Sequence, residues 1–308
     1  MTVPPEYDDV RYLAAKKSVD DRALNRRVWD RLARALAEPG PRPLQVLEVG
    51  AGIGTMVERL LEKGVLPEAT YTALDIRGDY LAEARRRLRR FAARQGLALT
   101  EGGDGLLLSG PGLNWRLNLE TRDVFDLNSR KRARPAFDLL IAHAFLDLVD
   151  LPSTLPLLFS WLRPGGLFYF SLNFDGATIL RPPLDEEFDD RVEALYHESM
   201  DRRRVQGQPA GSSRTGRRLP ALLRTLGARV LARGRSDWRV SPHRGRYPAD
   251  EAYFLHFILH TMRQALKEDP RLEGGRLAAW IAARQTQVEQ GGLTYLARQW
   301  DYLGTKGN

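Results

Sequence analysis

The sequence predicts an α/β protein with a doubly wound, mostly parallel, seven-stranded sheet, an antiparallel last strand, and helical insertions that form a lid. Three observations carry this expectation. Short apolar runs at 44–49, 71–76, 137–142 and 167–173 alternate with amphipathic stretches at the spacing of βαβ units. Gly50, Gly52 and Gly54 follow the first run and open into an apolar helix, so the backbone turns tightly at a strand end and presents free amides. The closing stretch 293–303 alternates as a strand after two helical segments.

Residues 1–19 are polar and read as an irregular arm. Asp20 and Asp21 then read as acids opening one helix, whose apolar positions Ala23, Leu24, Val28, Leu32, Ala35 and Leu36 recur up to the stop at Pro39-Gly40-Pro41. The first strand and its glycine turn lead to a helix over 56–62. The second strand, ending in Asp75, leads to a helix over 78–95 that carries an arginine-rich outer face and is closed by Gly96. Runs at 106–108 and 113–119 flank Ser109-Gly110-Pro111-Gly112 and read as a hairpin elaborating the third strand. A helix over 155–162 and the turn Arg163-Pro164-Gly165-Gly166 connect the fourth and fifth strands. The pattern breaks in 175–214, where one helix is expected at 186–203, resumes with a helix over 217–226 and a strand over 228–233, and breaks again in the loop 237–248. Helices over 250–267 and 273–290 precede the last strand. The chain therefore divides into an arm and helix (1–40), a core domain (41–174, 215–236 and 292–308), and two insertions (175–214 and 237–291).

With 308 residues, 43% of them hydrophobic, the chain has enough apolar material for a sizeable core. It has no apolar run long enough to span a bilayer and no signal-peptide pattern, which reads as cytoplasmic with no membrane partner. The absence of cysteine excludes disulfides, thiol nucleophiles, thiolate zinc sites and iron–sulfur clusters. The net charge of +8 is nearly all arginine. Such a charge permits a nucleic-acid partner, but the basic runs at 85–90 and 130–134 read as solvated surface. His256 and His260 stand at i, i+4 without an acid at ligand spacing, so no metal site is expected.

The glycine spacing fits a dinucleotide fingerprint poorly, because the required last position is Thr55 or Val57. Glu48 lies two residues before the first glycine, where an acid accepts bonds from the loop and from a bound amine. Asp75 suits a pair of ribose hydroxyls, which one carboxylate accepts together. Here the chain resembles the class I S-adenosylmethionine-dependent methyltransferases, whose fold is Rossmann-like. Glu48-Val49-Gly50-Ala51-Gly52-Ile53-Gly54 is similar to that family's first motif and Leu74-Asp75-Ile76 to its second. Arg122-Asp123-Val124-Phe125-Asp126-Leu127 is similar to the third, residues 137–144 to the fourth-strand motif, and Leu162-Arg163-Pro164-Gly165-Gly166 to the turn before the fifth strand. The resemblance implies S-adenosyl-L-methionine as cofactor and S-adenosyl-L-homocysteine as product. It places Glu48, Gly50, Ala51, Gly52 and Gly54 around the donor, Asp75 on the ribose, Ile76 against the adenine, Asp123 and Val124 at the adenine edge, and His143 and Ala144 beside the methionine part.

Ligands in such a fold lie at the carboxyl ends of the strands. His143 there either contacts the methionine end, accepts a substrate proton, or merely packs; Asp147 is a second candidate base or a capping residue. The arm and both insertions are expected to wall a covered pocket over 5–20, 175–214 and 237–262. Trp238, His243, Arg244, Tyr247 and Tyr253 combine aromatic walls with a positive charge, which suits a small substrate bearing an acidic group. The function expected is methyl transfer to an O, N or C nucleophile of a small molecule. The alternatives are an RNA methyltransferase, although no appended RNA-binding module is recognisable, and a non-catalytic binding protein.

Overall fold

The computed structural model describes every residue except 1, 39–42, 103, 104, 130–136, 206 and 308. The basic run at 130–134 and the stop at 39–41 therefore lie outside the described residues. In chain order the elements begin with α1 (Asp9–Ala23), α2 (Arg26–Ala37), β1 (Leu44–Val49), α3 (Thr55–Glu62), β2 (Glu68–Asp75) and α4 (Gly78–Gln95). Next come β3 (Ala98–Gly102), β4 (Gly105–Gly110), β5 (Leu113–Thr121), β6 (Phe137–His143), α5 (Leu151–Trp161), β7 (Leu162–Arg181) and α6 (Glu186–Asp201). Two short strands, β8 (Arg204–Val205) and β9 (Gln208–Pro209), precede α7 (Thr215–Thr225), β10 (Arg229–Arg235), β11 (Trp238–Val240), α8 (Glu251–Leu266), α9 (Gly274–Glu289) and β12 (Thr294–Thr305).

The main sheet runs β10-β12-β7-β6-β1-β2-β5-β4-β3, with β11 paired to β12, and has ten strands. The seven expected strands are its centre. β7, β6, β1, β2 and β5 are parallel to their neighbours in that series, and β12 runs antiparallel to both β7 and β10. The count differs because β3 and β4 extend one edge as antiparallel strands and β11 forms inside the expected loop 237–248. Helices α2, α3 and α4 bury Leu32, Val57 and Leu88 on one face of the sheet, and α5 and α7 bury Leu158 and Leu219 on the other, as a doubly wound fold requires. A third core joins α1, α6, α8 and α9 over the strand ends through residues such as Val19, Val192, Phe254 and Ile281.

The amino-terminal arm is a correction. Residues 9–23 form a regular helix capped by the Asp8 side chain, which accepts from Arg11 N, and Asp20 and Asp21 lie in its last turns instead of opening α2. Asn25 caps α2, accepting from Val28 N. Hydrophobic periodicity missed α1 because its buried stripe includes Lys16 and Asp20 beside Ala15 and Val19, charged members of an i, i+3, i+4 series that satisfy one another inside the protein.

Candidate functional site

Gly50, Gly52 and Gly54 all have φ between +54° and +76°, a conformation that side-chain-bearing residues avoid. A Cβ on Gly50 would collide with the Phe145 ring. The loop is tied to the end of β2: Gly52 N donates to Asp75 Oδ2 (2.8 Å), Arg77 N to Asp75 Oδ1 (2.9 Å), and Ala51 N to Leu74 O (2.9 Å). Each Asp75 oxygen thus spends one lone pair on the backbone and keeps another for a ligand. Ile76 beside it is 68% exposed, an apolar face with no partner of its own in the core. Asp123 holds the next turn by accepting from Phe125 N (2.9 Å), and Val124 is buried under it. At the end of β6, Ala144 adopts φ 50°, and its N donates to Ser171 O (2.9 Å), which turns Phe145 back over the glycines. Left-handed glycines, a two-oxygen acceptor at the next strand end and an exposed apolar platform suit a ribose and adenine.

Glu48 stands apart from this surface. It is buried in β1 and accepts a hydrogen bond from the Tyr71 hydroxyl (2.7 Å). Burial pushes its carboxyl up to about 8 against the opposing pulls of Tyr71 and Arg59. The unfolded chain releases this proton near 4.5 and the folded one near 8, so Glu48 favours the fold below 4.5 and loses that contribution as pH rises through about 8. Glu48→Gln is expected to remove a slope of at most about 1.4 kcal/mol per pH unit from stability in that window, read from urea unfolding at pH 5 and pH 8.

Beyond the glycine loop the structure assembles a cluster that sequence reading missed. His143 Nδ1 lies 2.8 Å from Ser171 Oγ, and its Nε2 lies 3.1 Å from Asp20 Oδ2 and 3.0 Å from Arg59 Nη1. Asp20 Oδ2 also accepts from Lys16 Nζ (2.7 Å), and Oδ1 accepts from Trp238 Nε1 (2.8 Å). Arg59 Nε donates to Asp21 (2.5 Å). Burial alone would raise Asp20, but Lys16, His143 and Arg59 outweigh it and hold it well below the ordinary carboxylate range. Burial first and Arg59 second push His143 down to about 4, so the ring is neutral at pH 7. Both of its nitrogens are engaged by protein partners. The cluster fastens α1 across the glycine loop, where Leu13 faces Gly52. Asp301 fastens the other end, accepting from Asn25 N and Leu172 N (both 2.8 Å). The sequence signals were the stripe 12, 15, 16, 19, 20 and a lone arginine, Arg59, on the apolar face of α3.

The residues assigned to the substrate do not converge. Trp238 joins Asp20, and the Tyr253 hydroxyl accepts from Asp8 N (2.5 Å) and so belongs to the α1–α8 seam. The Tyr247 hydroxyl donates to Leu293 O (2.7 Å), and His243 closes a turn with Arg246. Exposed Arg244 tops that turn, whose Gly245 packs against Gly291 at the end of α9, not against β6. Asp147 sits just past β6 with Oδ1 buried and unpartnered among the described residues. His256 and His260 share no site: His260 stacks on Tyr7 at 4.0 Å, while both ring nitrogens of fully buried His256 lack a partner among the described residues. His256→Leu is expected to raise unfolding stability by about 1–2 kcal/mol, because it removes an unsatisfied polar ring from the core.

Residues 47–168 match the family model of the methyltransferase domain, the stretch that holds the glycine loop, Asp75, Asp123 and His143. That stretch, less than half of the chain, is a methyltransferase domain: an enzyme domain of the S-adenosylmethionine-dependent kind, with S-adenosylmethionine as its cofactor. Among solved structures the chain is similar to YjhP from E. coli (15% identity over 96% of this chain and 98% of that one, TM-score 0.46). It is also similar to a SAM-dependent methyltransferase from Methanosarcina mazei (13%, 87% and 94%, 0.44) and to phosphoethanolamine N-methyltransferase 2 from Haemonchus contortus (12%, 97% and 57%, 0.46). No curated protein matches it in sequence.

Proposed function

We propose that the chain transfers the methyl group to an N, O or C nucleophile of a small molecule taken up beneath α1 and α8. One observation supports this most: the chain roofs its own strand ends. Tyr12 of α1 stacks on Phe254 and Phe257 of α8 (5.6 and 4.0 Å), and Arg22 pairs with buried Glu251 (2.5 Å). Such a roof admits a metabolite more readily than a folded polymer. The arginines of α4 also favour a small substrate, because Arg85 and Arg89 pair with Glu101, Arg86 and Arg90 with Glu83, and Arg87 with Glu58. A phosphate backbone would have to compete with those acids.

When bound, the cofactor supplies a methyl carbon made electrophilic by its sulfonium. The protein's task is then to hold a nucleophile in line and manage its proton. In this reading Asp75 orients the ribose, the glycines admit the backbone side of the ligand, and α1 excludes water. His143 acts as a positioning residue for α1. The acid-binding role suggested for Arg244 is not retained, since that side chain crowns a turn against α9. The test is transfer of labelled methyl from S-adenosylmethionine to metabolite fractions and, separately, to bulk tRNA. Labelling of small molecules is expected. Labelling confined to tRNA, with binding that falls steeply as salt rises, would sink the small-molecule reading.

A further inference from the structure

The helix that leaves the glycine loop, α3, is buried at every residue from Thr55 to Leu61, although two of these are charged. Glu58 is answered by one neighbour, Arg87 of α4, which donates to both of its oxygens (2.8 and 2.7 Å). Arg59 is 3% exposed and is shared among three elements. Its Nη1 donates to Thr55 Oγ1 (3.2 Å), the residue directly after Gly54, and lies 3.0 Å from His143 Nε2 at the end of β6. Its Nε donates to Asp21 Oδ1 (2.5 Å), and its Nη2 lies 3.5 Å from both Lys17 O and Asp20 Oδ2, so three contacts fall on the last turns of α1. One guanidinium thus joins the exit of the glycine loop, the strand end beside Ala144, and the helix that covers both.

Charge balance does not call for this residue. Lys16 already meets Asp20 (2.7 Å) and Lys17 meets Asp21 (3.0 Å), so α1 neutralises its own acids at i, i+4 spacing. Burying a further cation is costly, and what a guanidinium adds is geometry: a planar fork whose donors point in fixed directions. That geometry reaches the loop through α1. Leu13 lies about two turns before Asp20 on the same rigid helix, and its Cδ1 stands 3.6 Å from the place a Cβ on Gly52 would take. At the other end of α1 the ties to the ribose side are weaker. Asp9 meets Arg77 at 3.4 Å and Arg11 meets Asp250 at 2.8 Å, in pairs that solvent reaches and that hold little.

We propose that Arg59 is a positioning residue of the methyl-donor site, which clasps α1 to the glycine loop and to the end of β6 and so couples closure of that helix to cofactor binding. This rests on the reading that the donor lies beneath α1. Arg59 is buried and acts through Thr55, His143 and α1, not by meeting the cofactor itself. Coupling of this kind is reciprocal: a bound cofactor steadies α1, and release of the clasp weakens the cofactor by the same factor. A lysine does not replace it, because an ammonium is a compact donor that reaches one of these partners and leaves the others unserved.

The experiment compares the full native chain with Arg59→Lys and Asp21→Asn by S-adenosylhomocysteine calorimetry, urea unfolding and hydrogen exchange, all at pH 7.5. Arg59→Lys keeps the charge and is expected to bind S-adenosylhomocysteine roughly 10-fold or more weakly while its urea midpoint shows it folded. In the native chain, saturating S-adenosylhomocysteine should slow exchange both at the glycine loop and in the peptide covering 9–16. In saturated Arg59→Lys the loop should stay protected and the α1 peptide should not, a loss of coupling that a merely structural residue does not produce. Asp21→Asn guards against an unfolded Arg59 variant, since Asp21 is part-exposed and its loss removes one arm of the clasp. It should weaken binding about threefold and reduce α1 protection in step. Arg59→Lys that binds within about twofold of native overturns the proposal, as does full α1 protection in either saturated variant. Failure of the native chain to bind S-adenosylhomocysteine would instead sink the methyl-donor reading on which the proposal rests.

Discussion

Asp75→Ala is expected to weaken S-adenosylhomocysteine binding by roughly 100- to 1000-fold, measured by calorimetry at pH 7.5. The carboxylate is the only group at the end of β2 that offers two oxygens to a pair of hydroxyls, and hydrogen bonds to a charged group contribute about 1.5–3 kcal/mol each. The same oxygens accept from Gly52 N and Arg77 N, so the substitution also releases the middle glycine of the loop. Asp75→Asn separates the two effects. It keeps an acceptor for one backbone amide but turns one ribose acceptor into a donor, and should recover little affinity. Unchanged binding in both variants would show that the ligand does not use this strand end.

Asp20→Ala is expected to cost about 3–5 kcal/mol of unfolding stability at pH 7, because it leaves buried Lys16 without an ion-pair partner among the described residues and buried Arg59 with Asp21 alone. The expected pH dependence is specific. Asp20 is held below its ordinary 3.8, so its contribution is present above that value and is lost as pH falls through the lower folded value. The gap between native and variant proteins should therefore persist down to about pH 4 and close below it. His143 adds an acid-labile contribution of its own. The unfolded ring takes up a proton near 6.5 and the folded ring only near 4, so stability falls as pH drops across that interval. Urea unfolding at pH 7, 5 and 3 measures both. A gap that closes already at pH 5 would mean that Asp20 is not the hub of the cluster. Because Asp20 fastens α1 over the glycine loop, S-adenosylhomocysteine affinity should fall as well.

The two halves of the site differed in how far they could be read in advance. The glycine loop, Asp75, Ile76 and Asp123 are local in sequence and follow strands whose apolar runs are unmistakable, so their placement at strand ends followed from topology. The cluster around Asp20 is not local: Lys16, Arg59, His143, Ser171 and Trp238 come from five elements and meet only after α1 folds across the sheet. Hydrophobic patterning hides such a helix, since its buried face is charged. Trp238 and Tyr253 lie beside α1, with their polar tips spent on Asp20 and Asp8. The loop that carries His243 and Arg244 folds the other way.

By itself the sequence determined the alternation of strands and helices, the three glycines whose backbone excludes other residues, and the carboxylate at the next strand end. Those features depend on short-range periodicity and backbone freedom, which a linear chain displays. Only the tertiary structure decided what covers that loop and which polar groups meet beneath the cover. The reason is electrostatic: a buried carboxylate such as Asp20 is tolerated only where cations converge on it, Lys16 from its own helix and Arg59 from α3.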